Sequence, residues 1–318
     1  MIDTAPDRPL VAQGAAGGRV FQPGDAPYHE IRWLDPGASG TSSYDLLPGI
    51  PKRLDQYVTR ITAPNPGVMT GPGTNTYVVG ERELAVIDPG PAEPSHIRTI
   101  LEMGAGRIRW VVCTHTHLDH ASAAAAIQEA TGASVAGRPT SDTGHDVQVV
   151  FDRILSEGDR VECDGVSLRV IHTPGHASNH VCLLLEETGM MFTGDHIIQG
   201  STVVIWPPDG NMRAYLDSLR RFSSLPISIL APGHGYLIGQ PQAEAERLIR
   251  HRLAREEKVC KALVASGGSA ALETLLRRVY DDVPAAIHPI AAHSLQAHLE
   301  KLLEDGEVSY SDGRYGLR

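Results

Sequence analysis

The hydrophobic pattern divides the chain into three parts. Residues 1–56 are rich in Gly, Pro, Asp and Ser and hold no sustained period, which predicts an irregular N-terminal segment with one short strand near residues 31–34. From 57 to 241, short apolar and β-branched runs alternate with Gly/Pro turns. Runs at 57–63, 75–79, 83–88, 109–113, 160–163, 167–172, 180–186, 190–193 and 227–231 predict strands; helical spacing predicts helices at 94–103, 121–131 and 212–222. Several neighbouring strands are joined by turns too short for a crossover, so the sheets need not be parallel. From 242 the pattern turns helical: 242–266, broken by Gly267-Gly268, then 270–280 and 290–303. A strand at 307–310, the turn Ser311-Asp312-Gly313 and a return strand at 314–317 follow. Asp-Gly between strand signals predicts a hairpin. Three helices and a hairpin spell a winged-helix module over 242–318.

Composition narrows this picture. Of 318 residues 42% are hydrophobic and only 5% aromatic, so the core must be aliphatic and alanine-rich. The formal net charge of −10 argues against a protein that coats nucleic acid, while leaving room for a local basic groove. Residues 251–318 hold nine Lys+Arg against ten Asp+Glu, and the recognition-helix candidate at 290–303 offers Lys301 as its firm cation, beside His293 and His298. A groove-reading helix normally carries more. The winged helix is therefore expected to wall a pocket or to support a homodimer. Cys113, Cys163, Cys182 and Cys260 form no C-x-x-C pair and are expected as reduced thiols. The N-terminal MIDTAPDRPL resembles neither a signal nor a transit peptide, and no apolar run reaches the ~18 residues of a membrane span, so a cytoplasmic protein is expected.

The chemistry concentrates in Thr114-His115-Thr116-His117-Leu118-Asp119-His120, three imidazoles and a carboxylate placed between an apolar strand and a helix. Neutral imidazole and carboxylate suit Zn²⁺ and its first-row neighbours. His115 and His117, on alternate residues of an extended stretch, can point the same way. Asp119 and His120, at the turn into the helix, can reach a second point. His172-Thr173-Pro174-Gly175-His176, Gly194-Asp195-His196 and Pro232-Gly233-His234-Gly235 each follow a predicted strand and set a ligand-type side chain beside glycine.

Taken in order, His115-x-His117-x-Asp119-His120, His176, Asp195 and His234 resemble the metallo-β-lactamase superfamily. The resemblance implies an α/β fold, a four-layer αββα sandwich over 57–241 with two divalent metals at one edge of two facing sheets and the segment 1–56 packed on it. By matching positions, His115, His117 and His176 hold the first metal and Asp119, His120 and His234 the second, with Asp195 bridging both. Val86-Ile87-Asp88-Pro89-Gly90 also matches a family motif, which gives Asp88 the task of orienting a ligand histidine. Zn²⁺ is the leading metal; Mn²⁺ and Fe²⁺ also fit. True lactamases of this fold usually carry Cys or Ser where Asp195 stands; an aspartate there is similar to glyoxalase II, RNase Z and other thioester or phosphodiester hydrolases. Gly71-Pro72-Gly73-Thr74-Asn75-Thr76-Tyr77, Thr193-Gly194-Asp195-His196 and the winged helix together resemble the lactamase-beta-2-like subfamily. That group includes an endoribonuclease acting on single-stranded RNA, and fungal thioesterases acting on carrier-bound polyketides share its catalytic fold.

The implied reaction is hydrolysis, with a hydroxide bridging two ions roughly 3.5–4 Å apart as nucleophile towards an ester, thioester or phosphodiester. Asp119 is expected to orient it and accept a proton. His196 is expected either to face the substrate or to hydrogen-bond behind the ligands, and Asn75 either to line the pocket or to hold a turn. Trp206-Pro207-Pro208 is a candidate pocket wall, and His145, His172 and His180 are expected to be structural or solvated. A small-molecule or carrier-linked ester or thioester is the favoured substrate, with no membrane partner. Two other readings stay open: a single-stranded-RNA endoribonuclease, and a winged-helix nucleic-acid-binding protein with a vestigial hydrolase domain, against which the seven intact ligands count.

Overall fold

The computed structural model describes residues 46–140 and 146–318. The N-terminal segment up to residue 45, with its expected strand at 31–34, and His145 lie outside the described residues.

Seven strands, β1 (Lys52–Arg53), β2 (Val58–Thr62), β3 (Asn75–Gly80), β4 (Leu84–Ile87), β5 (Ile108–Val112), β6 (Ser134–Gly137) and β7 (Arg153–Ile154), form one sheet in sequence order. It is antiparallel from β1 to β4 and parallel from β4 to β7. Five more, β8 (Arg160–Cys163), β9 (Val166–His172), β10 (Val181–Leu185), β11 (Met190–Gly194) and β12 (Ile229–Pro232), form a second, in which only the β11–β12 pair is parallel.

Alternation along the strands builds the layers. Tyr77, Val79, Ala85, Ile87 and Val112 of the first sheet meet Val170, Leu183, Leu185 and Phe192 of the second in a core between the sheets. Their neighbours point outward: Val78, Val86 and Val111 pack under α1 (Pro94–Gly104) and α3 (Ala124–Thr131), as shown by Ile100 and Ile127. Cys182, Leu184 and Met191 pack under α4 (Met212–Arg221) and the start of α5 (Pro241–Ala265), against Leu216, Leu219, Ala245 and Leu248. The result is the expected four-layer αββα sandwich.

The structure splits the helix expected at 121–131. A short α2 (Leu118–Ala121) precedes α3, because the Ala123 N–H leaves the helical ladder to donate to Gly90 O while Gly90 N–H donates to His120 O. This clasp ties the segment 115–120 to the loop after β4. β6 and β7, not predicted, are four and two residues long and exist through parallel pairing to β5 and to each other.

The C-terminal part comprises α5, α6 (Leu272–Val279), α7 (His288–Glu304) and a small sheet of β13 (Ser269–Ala270), β14 (Val308–Ser311) and β15 (Arg314–Leu317), ordered β13-β15-β14. Val259 and Leu263 of α5 pack there with Leu275, Leu295, Leu299 and Val308. One continuous helix thus belongs to two cores. All four cysteines are free, and Cys113, Cys163 and Cys182 are buried. No helix among the described residues is long and apolar enough to cross a membrane.

Candidate metal centre

Every expected ligand lies just past the C-terminal end of a strand. His115 and His117 follow β5, Asp119 and His120 sit on α2, His176 follows β9, Asp195 follows β11 and His234 follows β12. The two sheets deliver these ends to one edge, joined by the Asn75 N–H donating to Gly233 O. Two glycines make the approach feasible. A Cβ on Gly194, whose φ is +44°, would stand 2.4 Å from Thr114 Oγ1; one on Gly233 would stand 2.7 Å from His120 Cε1.

The seven side chains form two adjoining groups. In the first, His117 Nδ1 lies 3.0 Å from both His115 Nε2 and His176 Nε2. In the second, Asp119 Oδ2 lies 3.4 Å from Nε2 of both His120 and His234, and Asp195 Oδ1 lies 3.3 and 3.2 Å from the same two nitrogens. Asp195 Oδ2 faces the other way, 3.6 Å from His176 Nε2. A tetrahedral ion with ligands at ~2.0–2.1 Å spaces them about 3.3 Å apart, so both groups have the size of a metal ligand set.

Hydrogen bonds behind the ligands choose the nitrogen that faces inward. Nδ1 of His176 lies 2.7 Å from Val204 O, Nδ1 of His234 3.3 Å from Gly73 O, and Nδ1 of His120 2.9 Å from Asp88 Oδ2. Each contact turns Nε2 to the centre. His120 Nε2 and Asp195 Oδ1 are buried and make no hydrogen bond among the described residues, a pairing that a cation between them would satisfy.

Electrostatics agrees. Burial, and then the neighbouring His120, hold His115 well below the ordinary imidazole range, and burial with His176 brings His117 to about 4. Both are therefore neutral, as ligation requires. Burial alone would raise Asp119 and Asp195, but the facing His120 and His234 outweigh it and hold both carboxyls low. Conversely, burial opposes charge on His120 and His234, yet the carboxylates overcome it, raising His234 to about 10. The two aspartates draw positive charge to this spot, which protons on the imidazoles or a metal ion can supply.

The structure places Asp88 with Oδ1 2.7 Å from Thr114 N and Oδ2 2.9 Å from both Thr114 Oγ1 and His120 Nδ1. Two open alternatives are resolved by where the side chains lie. Asn75 does not line the pocket: it is buried, accepts from Thr62 Oγ1 at 2.8 Å and donates to Pro232 O and Gly235 O at 3.0 and 2.8 Å, so its amide is spent holding the loop that carries His234. His196 does not line the cavity: it is fully buried, with its ring against Tyr215 and Phe222. Other contributors carried no spacing signal. His180 Nε2 accepts from Asp195 N–H at 3.2 Å, and Thr74 Oγ1 donates to Asp119 Oδ2 at 2.9 Å. Thr114 offered a hint in its place beside His115.

A cavity of about 860 Å³ opens on this centre. It is lined by His117, Asp119, His176, Asp195 and His234, by apolar Met69, Leu118, Val203 and Trp206, and by the α5 residues Arg247, Arg250, Arg252, Arg255 and Lys258.

A family model described as the metallo-beta-lactamase superfamily matches residues 69–234, and one described as the beta-lactamase associated winged helix domain matches 272–315. A "Beta-lactamase-like protein 2 homolog" of Drosophila melanogaster is 30% identical over 280 residues, covering 84% of this chain and 94% of that protein. The "Lactamase-like protein adaB" of Aspergillus niger is 30% identical over 303 residues, covering 89% and 92%. Among solved structures, a beta-lactamase domain protein from Burkholderia ambifaria superposes with a TM-score of 0.73 at 21% identity, covering 92% of this chain and 99% of that one. A metallo-beta-lactamase family protein from Thermus thermophilus gives 0.69 at 23%, covering 84% and 100%. At these identities the two structures share the fold.

Proposed function

The chain belongs to the metallo-beta-lactamase superfamily, and from that premise we propose that it is a hydrolase working through two divalent metal ions, Zn²⁺ foremost. The observation that carries this reading is Asp195, whose two oxygens face the two ligand groups separately. His115, His117 and His176 would hold one ion, Asp119, His120 and His234 the other, and Asp195 both. When bound, such ions supply an activated water at neutral pH and polarise the oxygen of the bond under attack.

The chain's own residues do the rest. Asp119, fixed by Thr74 and opening on the cavity, orients the attacking water and accepts its proton. Asp88 holds His120, and the Val204 carbonyl holds His176. Met69, Leu118, Val203 and Trp206 give the cavity apolar surface that suits the acyl part of an ester or thioester. A second reading, cleavage of single-stranded RNA, draws on the α5 cations in the same cavity; RNA binding that weakens steeply with salt would select it.

Elemental analysis of the purified protein tests the centre, with hydrolysis assays on an acyl thioester and a fluorogenic single-stranded RNA. Two metals per chain are expected, with activity falling on the order of a hundredfold or more in Asp119→Ala and His234→Ala. Full activity in both variants would sink the proposal, and the substrate turned over selects the branch.

A further inference from the structure

The α5 cations that line the cavity are not equivalent. Arg247 is paired with Glu244, Arg250 with Glu246, Arg255 with Asp282 and Lys258 with Asp281 and Asp282. Arg252 is paired with no carboxylate among the described residues. It is 3% exposed, donates from Nη2 to Val203 O at 2.6 Å, and lies 5.3 Å over the Tyr215 ring, while its Nε makes no hydrogen bond among the described residues. A buried cation without a counter-charge is unfavourable, and an anionic group arriving beside it removes that cost and gains charge-assisted hydrogen bonds.

The surroundings define the anion. Five cations of α5 line this cavity, and four of them are ion-paired with Glu244, Glu246, Asp281 or Asp282, which leaves Arg252 as the one without a carboxylate partner among the described residues. The planar guanidinium fork of Arg252, with Arg255 three residues on along the same face of α5, suits a phosphate. The same cavity is lined by His117, Asp119, His176, Asp195 and His234 and by apolar Val203 and Trp206, and its volume is that of a small-molecule site.

Resting on the hydrolase reading above, we infer that the part of the cavity lined by α5 is a subsite for a phosphate carried by a small-molecule substrate, set apart from the bond that is cut, with Arg252 at its centre and Arg255 and Lys258 beside it. Arg252 also braces the segment beside Val204, so a substitution there affects the metal centre as well. The test must separate these effects and must not depend on turnover.

Desulfo-coenzyme A carries phosphates and has no thiol to ligate a metal. Its binding to the metal-loaded full chain, measured by calorimetry, is expected to be saturable at one per chain. It should weaken by about tenfold or more in Arg252→Met and several-fold in the charge reversal Lys258→Glu, a partly exposed position that tests the subsite if Arg252→Met fails to fold. It should persist in Asp119→Ala. No saturable binding overturns the subsite, as does binding lost in Asp119→Ala but kept in Arg252→Met, which would put the phosphates on the metals. A single-stranded oligonucleotide that displaces the probe with tighter affinity overturns its small-molecule form. Failure of the hydrolysis assays with this binding intact would instead sink the hydrolase reading alone.

Discussion

Asp88 Oδ2 lies 2.9 Å from His120 Nδ1, and this contact decides which nitrogen of that imidazole faces Asp119 and Asp195. Asp88 has a φ of +49°, which asparagine also tolerates, so Asp88→Asn keeps the backbone. The amide cannot accept at both ends as the carboxylate does from Thr114 and His120. Metal affinity is expected to fall about 10- to 100-fold in chelator competition. Unchanged affinity would remove Asp88 from the centre.

Gly233→Ala tests the closeness of the two sheet edges. Its Cβ would stand 2.7 Å from His120 Cε1 and 2.9 Å from Asp195 Oδ1. Those side chains must shift, at ~1–3 kcal/mol of stability. Metal content should drop from two towards one per chain; an intact complement with wild-type melting would show that the edge yields freely.

Ser294 of α7 accepts from Ile205 N–H at 3.3 Å, one residue beyond the carbonyl that holds His176. Ser294→Ala leaves a buried N–H unpaired, costing ~1–3 kcal/mol. The loosened segment should lower affinity at the first ligand group. Cobalt substitution, followed by its visible spectrum, would report an altered site there, and an unchanged spectrum would count against this coupling.

Acid should destabilise the fold independently of metal. Burial lowers both His96 and His298 to about 4, although Glu256 partly opposes it at His298. As pH falls through ~6.5 the unfolded chain takes up these protons and the folded chain does not, until about 4. Stability therefore falls with pH across that window, by about 1.4 kcal/mol per unit for each group. Melting curves of the chelator-treated protein between pH 7 and 4.5 should show this decline, and His298→Leu should make it shallower.

Much of this arrangement was legible because each ligand motif stands beside glycine at the end of a β-branched run, and strand ends are where a sandwich exposes side chains. Direction was not legible. Nothing in Gly194-Asp195-His196 says that adjacent side chains diverge, Asp195 to the centre and His196 into the packing of Tyr215 and Phe222. The partners of the Asn75 amide, Pro232 O and Gly235 O, were not legible: they lie about 160 residues away in sequence and meet it only when the sheets close. The break between α2 and α3 depends likewise on a distant residue, Gly90. Arg252 was hidden among the charges of a long helix, which reads as a solvated face until its fold partners are known.

Helix α5 places Ala245 and Leu248 under the second sheet and Val259 and Leu263 inside the winged-helix core, with no break between. The two halves accordingly lack a hinge. Heat or denaturant should melt them in a single cooperative transition, and a truncation at residue 241 would tear the outer layer from the sandwich as well as remove its neighbour.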